Sequence, residues 1–372
     1  MSADQSRELT ITIQDMSVIR ADAYTGQTVF GKLDLPHLHQ RLVQVFQHWL
    51  GMDQVTRMED LEALGSLLFQ AIINGDVYQL YDSLRKASTK SQRLRLQLSF
   101  QEQAFEIAGY PWEFLYSPET ETRRGYFLST GQDLVLSRYM PLETERVDDL
   151  TATGEPLRIL IAVSSPEGLY KVIAPPVIEA IQNLGAGFDV QVTVEKQPGI
   201  DRFLEALEAN KPHVLHFLGH AQFNQTKNQG EIALLDDDLR GPRWVPDRLF
   251  ADYFSQMEAI PRLVVLHSCE GGANQFNARF AGLAPQLVRN DVQAVVAMQY
   301  PILNKAAILF SKAFYRELAR GASVDSATQS GRYAITLDPN FGFDSRVFGT
   351  PMLWMRSRSG VILPPPRSPD ET

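Results

Sequence analysis

The chain contains a single cysteine, Cys269, and seven histidines. A thiol attacks as thiolate, and a free one is only a few per cent ionised at neutral pH. An imidazole within reach can take the proton or hold the thiolate as an ion pair, and later protonate a leaving amine. Local sequence singles out one histidine for this. Gly219-His220-Ala221 directly follows the apolar run Val214 to Leu218 (VLHFL), and Ser268-Cys269-Glu270-Gly271-Gly272 contains the thiol directly after Leu263 to His267 (LVVLH). His220 and Cys269 are 49 positions apart (269 − 220), enough for one crossover connection. If the two runs are neighbouring strands, thiol and imidazole face each other. Gly271 and Gly272 permit a tight turn and close approach of a substrate backbone. A tetrahedral intermediate needs donors, for which the backbone N–H of Cys269 and that of Gly219 or Ala221 are placed. The plainer alternative is a small buried hydrophobe at a strand end, as free cysteines often are, with His220 a structural histidine.

The elements that must position this pair fall in two halves. From about residue 8 to 140, strand and helix signals mix. Leu9 to Ile13 and Leu94 to Phe100 alternate at period two, while Leu38 to Leu50 and Met58 to Ser83 carry apolar residues at helical spacing. Glu143 to Pro156, charged and then small and polar, reads as a linker. Beyond it, short apolar runs (Arg158 to Val163, Val190 to Val194, Val214 to Leu218, Leu263 to His267, Val292 to Met298) alternate with helical stretches. Those helices span Val177 to Leu184, which Pro175-Pro176 are placed to start, then Asp201 to Ala209 and Lys305 to Arg320. A further helix is expected to start near Gly282-Leu283. This is the pattern of βαβ units and a parallel sheet buried on both faces. Such sheets bind ligands at the carboxyl ends of their strands, where His220 and Cys269 fall. Residues 364–372, with four prolines, read as a disordered tail.

Composition narrows the function classes. One cysteine excludes an intramolecular disulfide and a thiolate zinc cage. A net charge of −9 argues against a direct nucleic-acid or anionic-membrane binder. The polar start Met1-Ser2-Ala3-Asp4-Gln5 lacks a signal peptide's apolar stretch, and no run approaches the roughly 20 apolar residues of a membrane span. The expected location is the cytoplasm, where a lone thiol stays reactive.

The ordered motifs resemble the CHAT family of caspase-like cysteine peptidases. The likeness is carried by Pro212 to His220 (PHVLHFLGH) and Arg262 to Gly272 (RLVVLHSCEGG). Supporting pieces are Gly109 to Tyr116 (GYPWEFLY), Pro156 to Leu160, Val295 to Ile302 (VVAMQYPI), Phe310 to Leu318 and Gly349-Thr350-Pro351. It covers roughly residues 90 to 365. The resemblance implies an α/β fold, a caspase-like, mostly parallel sheet flanked by helices, over residues 151–365. An N-terminal α+β region over residues 1–150 would pack on it and regulate it, with a tail at 366–372. It implies a cysteine endopeptidase with Cys269 as nucleophile, His220 as general base and Gly219 and Ala221 amides at the oxyanion, with no metal or organic cofactor. By analogy, Ser164, Ser165, His267 and Gln299 line the S1 pocket. Relatives that cut after Arg or Lys often carry an acid two residues before the nucleophile. His267 stands there, which implies a neutral or apolar P1. Many relatives carry glycine where this chain has Ala221, a small residue that leaves its N–H available. The implied partners are a protein substrate and an activating or sensor protein, in bacterial stress or antiphage defence. The rival reading is a catalytically silent interaction scaffold on the same fold.

Other signals are set aside. His213 and His216 read as core histidines of a strand. His37, His39 and His48 surround one helix without a carboxylate pair, so no metal site is expected. Asp236-Asp237-Asp238 reads as a hairpin turn, Arg123-Arg124 as a solvated pair, and Trp112 and Phe114 as packing residues.

Overall fold

The computed structural model describes residues 7–55, 57–121, 123–141, 155–186, 188–224, 226–227, 229–236, 241–268 and 282–363. The linker read at Glu143 to Pro156, except its last two residues, the tail at 364–372 and Cys269 itself lie outside the described residues. The chain divides into two compact units, Met1–Pro141 with Ile335–Gly349, and Leu142–Ala334 with Thr350–Thr372.

In the first unit, β1 (Arg7–Ile13) pairs antiparallel with β2 (Val18–Ala23), and β2 with β3 (Thr28–Lys32). Three helices follow, α1 (His37–Gly51), α2 (Met58–Ile72) and α3 (Gly75–Lys86). The helical spacing predicted as one stretch from Met58 to Ser83 is broken at Ile73-Asn74, and Gly75 takes φ +50°, a left-handed value that favours glycine. On the other side of β1, β4 (Leu94–Phe100) pairs parallel to it in register Leu9 to Leu96. The ribbon β5 (Tyr116–Ser117) and β6 (Tyr126–Phe127) precedes β7 (Leu134–Tyr139), which is parallel to β4. Period-two burial in β1 explains its legibility: Leu9, Ile11 and Ile13 are fully buried and the residues between are not. β2 and β3 went unread because the edge strand β3 has no buried residue and exposes Phe30.

Trp112 and Phe114 are fully buried in this unit, as expected of packing residues, and the Trp112 indole N–H donates to the Ile107 carbonyl at 2.8 Å. Between them, buried Glu113 accepts from Arg138 at 2.5 Å and 3.1 Å. Arg123 corrects an expectation. It is half-buried, with its guanidinium 3.6 Å from the centre of the Tyr126 ring, a cation–π contact that removes it from solvent.

The second unit starts with β8 (Leu157–Val163), α4 (Pro175–Gln182), β9 (Val190–Lys196), α5 (Ile200–Asn210) and β10 (Val214–Gly219). After β10 the chain forms a small antiparallel sheet that the apolar-run pattern does not reveal. It comprises β11 (Ala221–Asn224), β12 (Gln229–Leu235) and β13 (Pro242–Pro246), with Asp236 N–H donating to Gly241 O as the hairpin reading requires. Then come α6 (Asp247–Ser255), β14 (Leu263–Ser268), α7 (Leu283–Arg289), β15 (Ala294–Met298), α8 (Asn304–Ala319), α9 (Val324–Thr336) and β16 (Pro351–Met355). The helix expected near Gly282-Leu283 is α7.

Its main sheet runs β9-β8-β10-β14-β15-β16, parallel except for β16. Every residue of β10 and β15 is buried, which is why both read as continuous apolar runs. Side chains alternate along β10. Phe217 packs with Phe203 of α5 and Phe250 of α6 on one face, while His216 meets Tyr315 of α8 on the other. Strand order reverses between β8 and β10, so a switch point lies at their carboxyl ends, where α/β sheets open a crevice.

Candidate functional site

His220 is the first residue past β10 and is 6% exposed. Its carbonyl accepts the N–H of Ala233 on β12 at 3.0 Å. The adjacent parallel strand β14 pairs with β10 in the register Leu218 to His267 and Gly219 to Ser268. The described part of β14 therefore ends opposite the residue before His220, and Cys269 is the next residue in the sequence.

The other residues singled out in the sequence gather at the carboxyl edge of the same sheet. Ser164 and Ser165 follow β8. Ser164 is fully buried; its N–H donates to Leu218 O and its hydroxyl to Ala233 O, both at 2.8 Å. Ser165 is half-buried and held at both ends by Gln197, whose side chain accepts the Ser165 N–H at 2.9 Å and donates to the Ser165 carbonyl at 3.2 Å. Gln299 follows β15, is 8% exposed, and donates its N–H to Thr350 O at 3.0 Å. Gly219 is buried where a side chain has no room, since a Cβ would lie 2.6 Å from the Phe217 ring.

The Ala221 amide has a definite direction. Ala221 stands opposite Ile232, and the neighbouring bond from Ala233 N–H to His220 O makes that a non-hydrogen-bonded pair. Its N–H consequently points away from β12, and β11 is an edge strand. That donor is not consumed by the ladder.

His267 is 1% exposed and lies within the sheet's interior. Its Nδ1 shares a hydrogen bond with His216 Nε2 at 3.4 Å, and His216 Nδ1 shares one with the Tyr315 hydroxyl at 2.9 Å. Burial drives His267 down to about 4, and burial followed by the neighbouring His267 drives His216 well below its ordinary value. Both imidazoles are uncharged at neutral pH. His213 is lowered to about 4 by burial and then by Arg158 and Arg262.

Three contributors were not foreseen. Gln197 clamps Ser165, Ala233 holds His220, and the β11–β12 hairpin closes on Glu231. Burial pushes the Glu231 carboxyl up, but bonds from Gln222, Gln229, Asn224 and Lys227 outweigh it and leave Glu231 below the usual carboxylate range. A turn at Asp236 was expected, but the role of Ala233 is carried by its backbone, which no side-chain pattern announces.

Among the described residues no cluster of three His, Cys, Asp or Glu side chains could hold a metal ion, and no helix is long and apolar enough to cross a membrane.

The CHAT domain family matches residues 59–358. No curated protein matches the chain. Among solved structures, Saccharomyces cerevisiae separase, in its complex with securin, superposes with a TM-score of 0.54 at 10% identity, covering 95% of this chain and 30% of the separase chain. This chain thus spans under a third of that relative, and the likeness is one of fold. The Arg-specific cysteine proteinase gingipain R gives a TM-score of 0.49 at 9% identity, over 98% of this chain and 79% of the other.

Proposed function

The chain belongs to the CHAT domain family, and we propose that it is a cysteine endopeptidase in which Cys269 attacks the scissile carbonyl and His220 carries the proton. The observation that carries this is the register of two adjacent parallel strands, Gly219 beside Ser268. The next residue of each strand in sequence is His220 on one and Cys269 on the other. Period-two alternation along β10 gives His220 the same face as His216 and Leu218, at the sheet's carboxyl edge, which supports His220 as the proton carrier.

The mechanism uses this chain's own groups. His220 takes the thiol proton, the thiolate attacks, and the imidazolium returns the proton to the leaving amine. Water then attacks the thioester, with His220 again taking a proton, and the acid product leaves. The Ala221 N–H, unused by its own ladder, supports an oxyanion donor, with the Cys269 amide the second and Gly219 the residue whose lack of a side chain keeps the strand end open. Uncharged His267 in place of an acid supports a neutral or apolar P1, with Ser165 and Gln299 at the pocket edge; Ser164, fully buried and bonded at both its N–H and its hydroxyl, supports the strand end instead. The substrate is a protein, and a partner protein switches the enzyme on. The family resemblance supports a place in bacterial stress or antiphage defence, within the cytoplasm.

The test is labelling with a thiol-reactive peptidyl electrophile, read by mass spectrometry. Wild type should be modified at Cys269, Cys269→Ala should not label, and His220→Ala should label at least tenfold more slowly. Equal labelling of wild type and His220→Ala rejects the dyad and favours a silent scaffold.

A further inference from the structure

Helix α1 carries an apolar seam that the described residues of its own unit leave partly exposed. Leu38, Leu42, Val45, Trp49 and Met52 are 66, 41, 42, 43 and 38% exposed. Their spacing of four, three, four and three residues is the a/d repeat of a helix that packs against another helix. At about 100° per residue they fall within an arc of about 80°. The face that α1 buries lies elsewhere: Val43 and Leu50 are fully buried and sit about 120° round the helix from the seam. The helix thus has two apolar faces and its fold uses one.

The seam's solvent-side border is the row His37, Arg41, Gln44 and His48, again at four-three-four spacing. From His37 to Gly51 there is no acidic residue, in a chain whose net charge is −9. The seam is five side chains, well short of the roughly 20–30 residues a side of a standard stable interface. This favours a reversible, helix-in-groove contact. An antiparallel pairing with a second copy would bring no carboxylate of α1 to Arg41, so charge gives self-association no support. The helix also precedes residue 59, where the family match begins.

We propose that this face of α1 docks an amphipathic helix of a partner protein, one with its own apolar seam and a row of carboxylates that meets Arg41. The idea deepens the partner reading above, but docking needs no thiol chemistry, so it can be tested in the Cys269→Ala chain, where a failure of the protease reading has no effect.

The probes are two fluorescent helical peptides of about four heptads with identical leucine seams, one flanked by glutamate and one by lysine. Anisotropy titration at low salt should show the glutamate peptide binding at least tenfold more tightly. Trp49→Glu should abolish that binding, Leu38→Glu should weaken it tenfold or more, and Arg41→Glu with His48→Glu should invert the preference. All these side chains are exposed, so the melting temperature should hold; if Trp49→Glu alone melts early, Leu38→Glu decides. Absence of binding by either peptide, equal binding of both, or binding that survives Trp49→Glu and Leu38→Glu would overturn the proposal. So would self-association of the chain that Leu38→Glu abolishes.

Discussion

Ser164 donates its hydroxyl to the carbonyl oxygen of Ala233 at 2.8 Å, and the N–H of the same Ala233 donates to the carbonyl of His220 at 3.0 Å. One residue of β12 thereby couples the end of β8 to His220. Ser164 also reaches β10 directly, through its N–H to Leu218 O. The two bonds hold the backbone of His220 from a strand that the sheet itself does not contain.

Ser164→Ala removes the hydroxyl and leaves a buried carbonyl short of a partner, at a cost of about 1–3 kcal/mol. Thermal unfolding should shift down accordingly. If Ser164 positions the imidazole, labelling of Cys269 should slow by several-fold to about tenfold, since small misplacements of reacting groups are costly. The midpoint of the labelling pH profile should not move, because Ser164 does not touch the ring. Labelling at the wild-type rate would assign Ser164 to stability alone.

The buried chain His267–His216–Tyr315 gives stability a pH dependence. His267 titrates at about 4 in the fold against 6.5 when unfolded, and His216 lies well below its ordinary value. Between pH 6.5 and 4 the unfolded chain therefore binds protons that the folded chain does not. Stability is fully present above 6.5 and is lost as pH falls, by up to about 1.4 kcal/mol per pH unit for each histidine. Melting temperature measured from pH 7 to 4.5 should fall across this window, and His267→Leu should start lower at pH 7 but fall less steeply. Parallel curves for the two proteins would mean that other groups dominate.

What the sequence disclosed follows from where side chains sit relative to water. Strands buried on both faces, such as β10 and β15, are unbroken apolar runs, and β1 alternates, so all three were legible. The small sheet β11–β13 was missed because its first strand, Ala221–Asn224, is only four residues long and follows a glycine-histidine pair that looks like a loop start. Among the site residues, His220 was legible as a polar residue directly after a buried run. The clamp of Gln197 on Ser165 and the hold of Ala233 on His220 were not. The first depends on a left-handed backbone at Gln197 (φ +54°), the second on main-chain atoms alone.

Glu113 and Arg138 form a buried ion pair in the first unit, 2% and 2% exposed. Arg138 also donates to the carbonyls of Ala108 and Tyr110, so its charge is fully engaged. Removing one partner strands the other in a low-dielectric interior. Glu113→Ala should cost about 3–5 kcal/mol, whereas the double change Glu113→Ala with Arg138→Met should recover part of that loss. Chemical denaturation of wild type, Glu113→Ala, Arg138→Met and the double variant checks it, and strict additivity of the two single changes would contradict the coupling.

Gly219 is the position where sequence, packing and site meet most closely. A Cβ there would lie 2.6 and 2.8 Å from two ring carbons of Phe217 and 3.3 Å from the Ser164 carbonyl. Phe217 cannot retreat, because it is fully buried between Phe203 and Phe250. Gly219→Ala must therefore displace the backbone just before His220 or push Phe217 into its neighbours, an overpacking that costs about 1–3 kcal/mol. Gly185→Ala is the matched control, since its Cβ would come no closer than 3.8 Å to another atom. Gly219→Ala should lower the melting temperature and slow Cys269 labelling more than that stability loss explains at a temperature where both variants are folded. The control should do neither. Indistinguishable behaviour of the two variants would show that the strand end tolerates a side chain and that its glycine is not what keeps His220 in place.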